Sequence, residues 1–200
     1  MLHTHFHQRE EQILKIAEQL LLEFGENEFT LDMVAQEIGI AKGTLYKHFK
    51  SKNELYIQLL IQNQKQFFNM LVQRKNENFS EYLQYFVRYH LDHPKRTILF
   101  HDLEEKLSNS QGVQAHFSQL YQIKRACLKV MIPKAELYLL TTKSEINLRD
   151  YLATLWALTY GAAILLNSSF YQRYLGSRET LKQFYIQQAL QISQKHTLPL

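Results

Sequence analysis

Two hundred residues carry only six glycines and three prolines, against roughly twenty-four expected from average usage of about 7% and 5%. Glycine and proline punctuate turns, so a hairpin-rich all-β chain is excluded, as is a collagen-like or low-complexity one. With 46% hydrophobic and 21% charged residues, the chain can bury a core, and an all-α fold of long helices is expected. The single cysteine, Cys127, allows no intramolecular disulfide and suits a reducing, cytoplasmic compartment. The N-terminus lacks the apolar core of a signal peptide. The most apolar run, Leu152 to Leu166, is interrupted by Thr154, Thr159 and Gly161; it is short for a membrane span and suits a buried helix.

The net charge of +4 and the isoelectric point near 9.0 favour polyanions only mildly. The distribution says more. Residues 1–41 hold Arg9 and Lys15 against eight acids, whereas residues 42–52 hold Lys42, Lys47, Lys50 and Lys52 with no acid.

From Glu10 onward, Ile13, Leu14, Ala17, Leu20, Leu21 and Phe24 recur at helical spacing, and Gly25 suits a left-handed helix end. Thr30 is placed to cap a second, short helix bearing Leu31, Val34, Ala35 and Ile38, with Asp32 in its first turn and Gly39 as its stop. Lys42 to Phe49 forms the third, with Leu45 and Phe49 facing inward and Lys42, Thr44, Tyr46, Lys47 and His48 outward or flanking the exposed side. Gly43 leaves the backbone open to a phosphate, and Ser51 with Glu54 reads as a capping box opening a fourth helix. Two short helices across a glycine turn, braced before and after, make a helix-turn-helix.

The stretch Thr30 to Leu55, and above all Gly43-Thr44-Leu45-Tyr46-x-His48-Phe49-x-x-Lys52, resembles the DNA-binding region of the TetR (tetracycline-repressor-like) family of bacterial transcription regulators. The resemblance covers roughly residues 9–60. It implies a helix-turn-helix DNA-binding domain at 1–51 and a helical effector-binding and dimerisation domain at 52–200. It further implies that Thr30, Gly43, Tyr46, His48 and Lys52 grip phosphates, while Lys42, Thr44 and Lys47 read base edges. The expected partners are a double-stranded operator, a small-molecule effector and a second copy of the chain; no cofactor is expected.

The rest reads as further helices: Lys52 to about Lys75, Phe79 to Leu91 opened by Asn78 or Ser80, Pro94 to about Leu107, Gln111 to Ile132 ending before Pro133, Asn147 through Asn167, and Arg178 to about Lys195. Residues 133–146 are expected to be a loop, and Pro199 to lie in a loose tail. The helix after Asn147 is apolar nearly all round, and Gly161 to Ala163 permit close approach, so it is covered either by the chain's own core or by a second copy. The latter is the expectation, with Leu152, Leu155, Trp156, Tyr160 and Ala163, and Phe184 of the last helix, at a dimer interface. The aromatic and polar residues Phe67, Tyr82, Phe86, Tyr89, His90, Phe100, His101, Phe117, Tyr121 and Cys127 are either ordinary core or the lining of an effector cavity.

An enzyme is the competing class, together with a helical interaction protein that does not read DNA. His101 and Asp102 are adjacent on a helix and point apart, and no nucleophile elbow, zinc-protease or phosphate-loop motif occurs. No metal site is expected, although His3, His5 and His7 alternate, and His3 and His7 would share a helical face; a mobile N-terminus is the simpler reading.

Overall fold

The structure is a computed structural model that describes residues 2–174 and 176–192, with side chains from residue 5 onward. Its described elements are all α-helical. Contacts divide them into two compact units, residues 1–64 with 99–121 and residues 65–98 with 122–200.

In the first unit, α1 (Leu2–Glu28) breaks at Gly25, whose φ of 79° only glycine adopts readily. Ile13, Leu14, Ala17, Leu20 and Leu21 are buried along one face, each contributing about 1.5–3 kcal/mol by leaving water except the smaller alanine. The helix begins at Leu2, eight residues before Glu10 where the apolar periodicity starts. Phe24 does not join the buried face. It is 42% exposed and lines a cleft of about 520 Å³ with Leu20 and Met33, while the fully buried Phe29 fills the core after the break.

Helix α2 (Leu31–Ile38) is capped by Thr30 and closed by Gly39 at φ 74°. It is followed by α3 (Lys42–His48) and α4 (Lys52–Gln73). The first half of α4 is apolar on several sides: Leu55, Tyr56, Ile57, Leu59, Leu60 and Ile61 are all buried. At its start, Ser51 Oγ accepts from the Glu54 N–H at 3.1 Å, but the Glu54 carboxylate accepts from Lys50 N–H at 2.7 Å. The expected box thus reaches one residue further back than its usual form.

In the second unit, α5 (Phe79–Leu91) starts where Asn78 accepts from the Glu81 N–H at 3.0 Å. It is followed by α6 (Pro94–Ser108) and α7 (Gln114–Thr141), both shared between the units. Helix α7 corrects the sequence reading, since it passes through Pro133 and occupies most of the expected loop. The buried stripe Cys127, Met131, Ala135 and Leu139 continues at four-residue spacing across the proline. Tyr138 adds a hydrogen bond to the Leu190 carbonyl at 3.0 Å and a ring contact with Phe79 at 4.6 Å. Pro133 itself is exposed, so its ring meets no core, and packing on the other face outweighs its local cost.

Helix α8 (Leu148–Asn167) is capped by Asn147, which accepts from the Asp150 N–H at 2.9 Å. A short α9 (Ser169–Tyr174), absent from the sequence reading, follows directly; the Gln172 side chain ties it to the Leu166 carbonyl at 2.6 Å. Helix α10 (Arg178–Gln191) packs with α5 and α8, and Pro199 lies outside the described residues. Among those residues, no helix is long and apolar enough to cross a membrane.

Candidate nucleic-acid interface

The Gly39 N–H reaches the Gln36 carbonyl at 3.1 Å and Ile40 N–H the Ala35 carbonyl at 3.0 Å. The turn is therefore closed by backbone bonds, and α3 leaves α2 in a fixed direction. Leu45 and Phe49, 0% and 3% exposed, pin α3 to the core. Lys42, Gly43, Tyr46 and Lys47 are left exposed, with Thr44 half-buried. Thr30 is exposed at the start of α2, its Oγ1 accepting from the Met33 N–H at 3.2 Å.

Two expected contact residues are turned elsewhere. The side chain of His48 is only 6% exposed and its ring stacks on Phe6 at 4.1 Å between centroids. Its Nδ1 lies 3.9 Å from Glu10 Oε1, beyond hydrogen-bond reach, and has no hydrogen-bond partner. Lys52 points at Glu26, 3.6 Å from its carboxylate and 3.3 Å from its carbonyl, with the ammonium over the rings of Phe29 and Tyr56 at 5.6 and 5.8 Å. The sequence reading missed both anchors, because Phe6 and Glu26 lie 42 and 26 residues from their partners.

The exposed group is cationic but not bare. Lys42 Nζ donates to Asp32 Oδ2 at 2.7 Å, and this hydrogen bond holds the ammonium above its ordinary range. Gly43 has an ordinary helical φ, and a Cβ added there would meet nothing within 4 Å. The fold itself therefore has no need of glycine at this position.

A family model described as bacterial regulatory proteins, tetR family, matches residues 13–59, which carry this interface. Over this segment, the chain is similar to the tetR family of bacterial regulatory proteins. It is 30% identical over 115 residues to an HTH-type transcriptional regulator of Staphylococcus aureus strain bovine RF122 / ET3-1, covering 54% of this chain and 60% of that one. A second such regulator, from strain MRSA252, is 32% identical over 89 residues, covering 42% of this chain and 48% of the relative. The chain thus spans only about half to three fifths of these relatives. Among solved structures, a tetR-family regulatory protein from Rhodococcus RHA1 superposes with a TM-score of 0.71 at 16% identity, covering 92% and 96% of the two chains. The regulator FadR of Bacillus subtilis, solved in complex with stearoyl-CoA, gives 0.65 at 15% identity over 90% and 97%. At those identities the likeness is one of fold.

The residues expected to line an effector cavity do not all fall in one unit. Phe100, His101, Phe117 and Tyr121 belong to the first, with His101 and Tyr121 exposed; Phe67, Tyr82, Phe86, Tyr89, His90 and Cys127 belong to the second. In the second unit, His90 sits among the rings of Phe67, Phe86, Tyr89, Trp156 and Tyr160, at 4.9 to 6.4 Å. Its Nδ1–H donates to the Phe86 carbonyl at 2.9 Å, which fixes the tautomer. Burial lowers its pKa to about 4, so the ring is neutral near pH 7.

Of the residues expected at a dimer interface, Leu155 and Ala163 are already buried within the single chain. Leu152, Trp156 and Tyr160 are half-buried, and Phe184 is exposed, in company with Ile164, Phe170 and Tyr174. His7 bonds to Glu10 at 3.2 Å, the side chain of His3 lies outside the described residues, and no cluster able to hold a metal occurs among those described.

Proposed function

We propose that this chain is a cytoplasmic, ligand-responsive transcription repressor that binds a pseudo-palindromic operator as a homodimer and is released by a small hydrophobic effector. The observation that carries this reading is the outward face of α3, where Lys42, Tyr46 and Lys47 surround a glycine the fold does not require, inside the segment matched by the family. A helix held by Leu45 and Phe49 can enter the major groove as one rigid piece. Lys42, Thr44 and Lys47 then reach base edges. Thr30, Gly43 and Tyr46 meet phosphates, Lys52 follows them once it leaves Glu26, and His48 steadies the end of α3 through Phe6.

Two copies would place two such helices about one DNA turn apart. The exposed Ile164, Phe170, Tyr174 and Phe184 are apolar area that a symmetric partner could cover. An apolar effector agrees with the stearoyl-CoA held by a protein of the same fold. Effector binding would act by shifting a pre-existing equilibrium between spacings of the two reading helices.

The test is selection from a random duplex pool with the purified full chain, followed by a salt series on the selected site. A palindromic site, bound with steep salt dependence, is expected. Lys42→Ala or Lys47→Ala should cost about 1–3 kcal/mol at particular base pairs. Recovery of no preferred sequence would overturn the reading.

A further inference from the structure

We propose that Asp32 is a positioning residue that sets the specificity of the DNA-reading helix by controlling Lys42. This rests on the reading just given, that α3 contacts DNA. Lys42 stands in the first turn of α3, where a cation opposes the positive end of the helix dipole. That turn holds no acid, and its N-cap, Ala41, offers no side-chain cap. The missing negative charge arrives from the first turn of α2: Asp32 Oδ2 lies 2.7 Å from Lys42 Nζ. Both side chains are about three-fifths exposed, 60% and 59%, so water competes for the pair and the ammonium can exchange partners.

The exchange is not equivalent at all sites. At a guanine, the ammonium can donate to O6 and N7 while still donating a third N–H to Asp32. The carboxylate can also accept from the N4 amino group of the paired cytosine. At an arbitrary site, phosphates draw Lys42 away, and the bare Asp32 carboxylate is left facing a polyanion. Asp32 therefore penalises indiscriminate binding more than it penalises binding at the cognate base pair. Specificity gained by a repulsive group in this way is a difference of two affinities.

The test is fluorescence anisotropy of the full chain on the selected duplex and on a scrambled one, each through a salt series. Asp32→Asn should tighten binding to the scrambled duplex about 5- to 10-fold and steepen its log–log salt slope by about 0.9, the value of one added phosphate contact. Affinity for the selected duplex should change less than 2-fold, so the specificity ratio falls. Asp32→Glu should restore the ratio. In a Lys42→Ala background, Asp32→Asn should leave it unchanged, and circular dichroism melts should show every variant folded. Equal tightening on both duplexes, or the same effect without Lys42, would mean that Asp32 adds only general negative charge, and the proposal would fall. If the wild type selects no duplex, the regulator reading fails first; if it selects one and Asp32→Asn behaves like it, only the role of Asp32 fails.

Discussion

The Lys106 ammonium lies 2.6 Å from Glu26 Oε1, and the same oxygen accepts from the Tyr56 hydroxyl at 3.2 Å and faces Lys52 at 3.6 Å. One carboxylate just after the Gly25 break thus ties together α1, α4 and the end of α6, all within the first unit. Burial opposes its ionisation, but the Lys106 hydrogen bond and the charges of Lys106 and Lys52 more than offset that, and its pKa falls below the ordinary 4.5. The contribution is therefore present above the unfolded pKa and is lost as pH falls through the lower folded value. Glu26→Gln is expected to cost about 1–2 kcal/mol at pH 7, read as a lower urea midpoint, with the difference closing in acid. Equal midpoints at pH 7 would contradict it.

His90 produces a pH dependence in a different window. Its pKa drops from 6.5 in the unfolded chain to about 4 in the fold, chiefly through desolvation. The unfolded chain gains a proton that the folded chain refuses, so this stability is full above pH 6.5 and declines as pH falls toward 4. Between pH 7 and pH 5 the loss from this residue is about 2 kcal/mol, from 1.36 kcal/mol per unit. Urea midpoints at the two values should show it. His90→Phe should flatten the difference, whatever it does to absolute stability.

Tyr82 is 1% exposed, and its hydroxyl has no hydrogen-bond partner. Burial, with the neighbouring Cys127, holds the phenol well above its ordinary pKa, so it is never charged near neutrality. A buried hydroxyl without a partner costs free energy. Tyr82→Phe keeps the ring and removes that cost, so it should be neutral or stabilising by up to about 1 kcal/mol. A clear drop in melting temperature would show that the hydroxyl has a role in the fold.

Pro133 sits on the exposed side of α7, where it denies one helical hydrogen bond. Because the helix continues through it, Pro133→Ala should restore that bond and stabilise the chain by about 1–3 kcal/mol, the upper end being the proline–alanine propensity difference. A melting temperature that does not rise would show that the backbone there is shaped to the proline.

These elements also mark what the sequence made legible. The interface could be read because its determinants, Gly39 and the Leu45 and Phe49 spacing, act within four residues, as do the Asn78 and Asn147 caps of the second unit. Pro133 misled for the same reason, since the local rule ends a helix there, whereas Ala135, Leu139 and Tyr138 hold it through partners such as Leu190, 52 residues from Tyr138. The four-residue spacing of Cys127, Met131, Ala135 and Leu139 runs across the proline, but the sequence reading ended the helix at Ile132 and made no use of it. The pairs Asp32–Lys42, Phe6–His48 and Glu26–Lys106 were not legible, because nothing in spacing records which long-range groups meet.

Gly43 permits the sharpest separation of fold from function. A Cβ there has open space and an allowed backbone, and alanine in a helix interior is better than glycine by about 0.5–1 kcal/mol. Gly43→Ala should therefore leave the melting temperature unchanged or raise it slightly. In the complex, the same methyl would stand between α3 and the phosphate backbone, so affinity for both selected and scrambled duplexes should fall, on the order of tenfold, since phosphate contacts carry no sequence information. Stability and DNA affinity would then move in opposite directions. If Gly43→Ala bound the selected duplex as tightly as the wild type, the DNA backbone would not approach α3 at this point.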